Sequence, residues 1–168
     1  MDKIRLSRRL VGKIALEFAA QFDFKPGTKV LSIGTDRYNN PELALSLSGY
    51  DVTIVTLQVK RRSHRLDPLD ARYQDRPIAQ AIRGAGGNYR VISKLFSDET
   101  AREEFTAGKF KIVILSNILD TGLGARFEVN ALVHVLGNNS HLIVVANKDG
   151  ISVTKLVRQL RRRYIGLR

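Results

Sequence analysis

The chain has no cysteine, a single methionine and four prolines in 168 residues. Without cysteine there are no disulfides, no thiolate metal sites and no cysteine nucleophile. Its three histidines, His64, His134 and His141, are scattered without ligand spacing, so no metal is expected. No apolar run approaches the ~20 residues of a membrane span, so no membrane partner is expected either. The first residues are charged and lack an apolar h-region, which predicts a non-secreted, intracellular protein. Acidic residues are scarce too: 16 Asp and Glu stand against 28 Lys and Arg, a formal net charge of +12.

The basic excess is unevenly placed. Residues 58–94 hold nine Lys and Arg against three Asp and Glu, and residues 148–168 hold seven against one. Residues 1–28 are also basic, whereas 29–57 and 95–147 are slightly acidic. Basic segments around a neutral-to-acidic core predict a surface for a polyanion, nucleic acid, with RNA favoured over DNA. The length suits one domain over residues 1–168 with a real core.

Hydrophobic periodicity then divides the chain. Residues 1–27 read as an N-terminal amphipathic helix, with Val11, Ile14, Phe18 and Phe22 at helical spacing, closed by Pro26-Gly27. Strands are expected at Lys29–Ile33, Asp51–Leu57, Tyr89–Ser93, Lys111–Ser116 and His141–Ala146. Helices are expected from Pro41 to Gly49 with Asn40 as N-cap, over Ile78–Arg83, over Asp98–Ala107 with Ser97 or Asp98 as cap, and over Ala125–Leu136. Gly84-Ala85-Gly86-Gly87 reads as a helix cap and turn. Residues 59–77 show no buried-face period and read as a basic loop. Residues 151–168 read as a basic C-terminal helix, with Leu156 and Leu160 on its apolar side and Arg158, Arg161 and Arg162 turned away.

Strands that alternate with helices imply parallel pairing through right-handed crossovers. The expected fold is therefore α/β: a three-layer, Rossmann-like, doubly wound parallel sheet of about five strands in the order 3-2-1-4-5. In such a sheet a glycine that follows the first strand directly, as Gly34 does, lets a ligand approach the next helix.

Four blocks carry a resemblance: VLSIGT (Val30–Thr35), Val52–Leu57, KFKIVILSNILD (Lys109–Asp120) and ALVHVLGNNSHLIVVAN (Ala131–Asn147). Over roughly residues 28–147 the chain resembles the class I S-adenosylmethionine-dependent methyltransferases. The resemblance implies S-adenosylmethionine as cofactor, held by Gly34, Thr35, Asp36, Thr56, Gln58 and Asn117. It also implies a substrate-facing loop after strand four, where Asn117 orients a nucleophile and Asp120 is a general base. The turn keeps only Gly34 where the family usually has two or three glycines, and two other positions depart as well. Ser32 stands where an acidic residue is usual, and Thr56 stands where a carboxylate usually bonds the ribose hydroxyls. A neutral hydroxyl lacks the charge-assisted strength of a carboxylate, and Asp36 is the candidate substitute from the turn.

Lys60, Arg61, Arg62 and Arg65 follow strand two and are expected on the ligand side of the sheet. With Arg158, Arg161 and Arg162 they are the candidate nucleic-acid contacts. Two functional readings stay open. One is an enzyme that transfers a methyl group from S-adenosylmethionine to RNA or DNA. The other is a catalytically inactive module of the same fold, with a structural or accessory role in a ribonucleoprotein, viral or protein complex. Family members usually add a two-stranded hairpin after strand five, and the residues here read as a basic helix instead. The strand-five edge is accordingly expected to be covered by a homodimer contact or another protein.

Overall fold

The apolar residues after Thr28 form strand β1 (Lys29–Ile33), all but its first residue buried. Strand β2 (Asp51–Val55) repeats the pattern, as expected where helices cover both faces. Helix α1 (Asn40–Leu47) joins them. Helix α2 (Pro77–Gly84) leads to β3 (Asn88–Ile92), and α3 (Asp98–Glu104) to β4 (Phe110–Ser116). Helix α4 (Val129–Val135) runs directly into β5 (Leu136–Val145). This computed structural model describes residues 16, 17, 20, 21, 23–34, 40–56, 77–116, 129–145, 156, 158, 160 and 161.

All strand pairs are parallel and their order is β3-β2-β1-β4-β5, as the sequence predicts. Alternation along each strand builds two cores. Leu31, Ile33, Val113 and Leu115 point to one face, where α3, α4, Leu156 and Leu160 cover them. Val30, Ile54, Ile112 and Ile114 point to the other, beneath Leu45 of α1 and Ile82 of α2. Residues 156, 158, 160 and 161 are helical, and so are 16, 17, 20 and 21, within the two terminal helices expected from periodicity.

Several boundaries shift for physical reasons. Asn40 is already helical rather than the cap. Helix α3 starts as expected, with the Ser97 hydroxyl accepting the Thr100 N–H at 3.1 Å. It stops at Glu104, short of Ala107, because Phe105 turns extended and buries its ring edge-on against Phe110, centroids 5.1 Å apart. Strand β5 is the larger surprise. Phe110 pairs with Leu136 while Ile112 pairs with His141, so β5 takes five steps where β4 takes two. The extra residues are stitched to β4 rather than forming a separate turn. The Gly137 N–H donates to the Ser140 hydroxyl at 2.8 Å, and that hydroxyl donates to the Phe110 carbonyl at 2.7 Å. A Cβ on Gly137 would lie 2.7 Å from the Gly108 carbonyl oxygen, so only glycine fits this crossing. Among the described residues β5 pairs with β4 alone, and Leu142, Ile143 and Val144 are half-buried.

Candidate cofactor edge and nucleic-acid surface

The order β3-β2-β1-β4-β5 reverses its winding between β1 and β4, and ligands of open α/β sheets bind outside the carboxyl ends at that point. Gly34 stands there, directly after β1. Its φ is 71°, in the left-handed region that glycine enters without a Cβ penalty. Its N–H donates to the Val55 carbonyl at 2.9 Å, and the Thr56 N–H donates to the Ile92 carbonyl at 3.0 Å. The carboxyl ends of β1, β2 and β3 are thus laced together by backbone bonds. Gly34 and Thr56 do meet at one edge. Thr56, however, is only 5% exposed, so it presents little surface for a ribose.

Ser32 looks from the sequence like the loss of an acid, but the structure brings one back from another element. Ser32 and Glu42 are both fully buried. The Ser32 hydroxyl donates to Glu42 Oε1 at 2.6 Å, a separation typical of a hydroxyl on a carboxylate. The same hydroxyl lies 3.4 Å from the Gly34 carbonyl. Glu42 sits in the first turn of α1, where the helix dipole favours negative charge. A buried carboxyl group therefore stands beside the Gly34 turn, supplied by the helix instead of the strand. Sequence reasoning missed it. The only signal was an acidic residue just after Pro41, and that position also suits an ordinary helix start.

Of the other candidate residues, Thr35, Asp36, Gln58, Asn117, Asp120, Lys60, Arg61, Arg62, Arg65 and Arg162 lie outside the described residues. Arg158 and Arg161 are exposed, while Leu156 and Leu160 are each 3% exposed in the core beneath α3 and α4. Residues three apart on a helix are neighbours, so the two guanidiniums share one outer patch. Two other cations counted in the basic segment 58–94 are already engaged. Arg90 bonds Glu104 at 3.0 Å, and Lys94 bonds Glu104 at 2.8 Å and Glu103 at 3.4 Å. The Lys94 hydrogen bond holds the Glu104 carboxyl below its ordinary range, and Glu104 in return raises the Lys94 ammonium. Acidic helix α3 thereby offsets the charge of these two cations.

Among the described residues, no group of three or more His, Asp or Glu is arranged to hold a metal ion. No helix among them is long and apolar enough to cross a membrane. The sheet order, the two helical layers and the glycine turn match a Rossmann-like α/β fold of the methyltransferase kind. No protein-family model matches the chain, and no curated protein sequence matches it. Solved structures do. A protein from Galdieria sulphuraria assigned as a sarcosine dimethylglycine methyltransferase is similar at 13% identity and a TM-score of 0.51, covering 91% of this chain and 54% of that one. A SAM-dependent methyltransferase from Geobacter sulfurreducens, in complex with S-adenosyl-L-homocysteine, is similar at 12% identity and a TM-score of 0.43, covering 79% and 47%. The eIF2B delta protein of Chaetomium thermophilum is similar at 14% identity and a TM-score of 0.44, covering 92% and 52%. The chain thus spans about half the length of each of these three. At these identities the likeness concerns the fold alone, and of these three only the first has a TM-score above one half.

Proposed function

We propose that this methyltransferase-like chain binds S-adenosylmethionine beside Gly34 and binds nucleic acid through its basic segments, with the nucleic acid as methyl acceptor. The Gly34 turn carries the reading: a left-handed glycine at the carboxyl end of β1, at the winding reversal of the sheet. The neighbouring residues fit such a cofactor in part. Gly34 permits close approach of the backbone, and the Glu42 carboxyl group beside it would, when ionised, suit a cationic ligand. S-adenosylmethionine would supply a methyl group on a sulfonium sulfur. The ribose side is weaker, because residues 52–66 contain no Asp or Glu and Thr56 is nearly covered.

That weakness favours the second reading, a nucleic-acid-binding module of the same fold without catalysis. Calorimetry separates the two. Binding of S-adenosylmethionine or its demethylated product is expected, weaker than with a ribose carboxylate by about 1–2 kcal/mol for the missing charge-assisted bond. Absence of binding heat at millimolar cofactor would leave the module reading alone.

A further inference from the structure

Glu42 is an ionisable group with no exposed surface, and keeping a carboxylate ionised there costs several kcal/mol unless partners compensate. An apolar residue in its place would fill the same space without that penalty. The pair it forms also lies at a particular point. Ser32 is the last residue but one of β1, Gly34 follows two residues later, and Glu42 opens α1. The 2.6 Å bond between Ser32 and Glu42 therefore ties together both ends of the connection between β1 and α1. Gly34, between those ends, is held from the other side by Val55. In a low-dielectric surrounding a fixed charge acts more strongly and over a longer range than in water.

We infer that the Ser32–Glu42 pair is a positioning and specificity element of the proposed cofactor edge: it fixes the Gly34 turn, and Glu42 is held ionised there, so that it favours a cation-bearing ligand over the neutral counterpart. This rests on the proposed binding of S-adenosylmethionine. The ligand and its demethylated product make a matched pair of probes, because they differ by one methyl group and the sulfonium charge. A pair that served the fold alone would change both affinities together. A charge that acts on the ligand changes their ratio.

The experiment measures both dissociation constants by calorimetry for the full chain, for Glu42→Gln, and for the double variant Ser32→Ala/Glu42→Leu. The single substitution keeps the shape and loses the charge. The double variant replaces the pair with apolar contact should Glu42→Gln not fold. In either variant the affinity for S-adenosylmethionine relative to its product is expected to fall about threefold to tenfold. Hydrogen exchange at the Gly34 amide is expected to quicken in the double variant, with no ligand present. An unchanged affinity ratio in a folded variant would overturn the inference while leaving the proposed function intact. No binding of either probe to the parent chain would overturn both.

Discussion

Gly87→Ala is expected to destabilise the protein by about 3 kcal/mol or more, an overpacking cost at the upper end of the usual range. The new Cβ would lie 2.0 Å from the Ser46 carbonyl oxygen and 3.3 Å from that of Tyr50. Both are backbone atoms, so no side chain can swing aside. Ser46 is in the last turn of α1, and its hydroxyl is within 2.9 Å of the Glu42 carbonyl and 3.1 Å of the Asn88 carbonyl. The Asn88 N–H in turn donates to Tyr50 at 3.0 Å. Relief of the clash must therefore move α1 against β3. For a chain of this length the melting midpoint should fall by roughly 6–12 °C. Gly86→Ala is the matched control. Its Cβ would meet nothing within 4 Å, and only its φ of 72° opposes the change. That variant should lose about 1 kcal/mol. Equal midpoints for the two variants, read by calorimetric melting, would show that the close approach to α1 is not what holds this corner.

The consequence reaches the ligand edge. Helix α1 is held at its far end by Gly87 and presents Glu42 at its near end. A displaced α1 would carry Glu42 away from Ser32, so Gly87→Ala should weaken the proposed cofactor binding without touching the edge itself.

This division between near and far contacts also explains what was legible in the sequence. The strand at Lys29–Ile33 could be read residue by residue, because a strand covered on both faces writes itself as an unbroken apolar run. Its neighbours fell within a residue or two for the same reason, and the order of the sheet followed from strand–helix alternation. The Ser97 cap was legible because its bond spans three residues. The early end of α3 was not, since it depends on Phe105 meeting Phe110. Nor was the irregular start of β5, which depends on Gly108 crossing Gly137. The site divides in the same way. Gly34 was legible from its place after a strand. Glu42 was not, because its partner lies ten residues earlier on another element, and local propensity is silent about such pairs.

Replacing Lys60, Arg61, Arg62 and Arg65 with serine is expected to weaken nucleic-acid binding about a hundredfold or more at moderate salt. The four cations fall within six consecutive residues shortly after the second strand in the sequence. Each phosphate neutralised by the parent releases counterions, so its affinity should fall steeply as salt rises. Loss of four contacts should reduce the slope of log affinity against log salt by about 3 on a single strand. The melting midpoint should barely change, because this stretch shows no apolar period that would seat it in a core. Arg90→Ser with Lys94→Ser supplies the control. Those two cations also lie in the basic segment, but they already bond Glu103 and Glu104, so their removal should alter binding and its salt slope far less. Arg158→Ser with Arg161→Ser should fall between, since both are exposed on a helix anchored by Leu156 and Leu160. Fluorescence anisotropy with a labelled single-stranded RNA across a salt series reads all four proteins. Equal losses for the Lys60–Arg65 and Arg90/Lys94 variants would mean that net charge, rather than a placed surface, governs binding. A parent affinity that is flat in salt would remove the polyanion from the proposed function altogether.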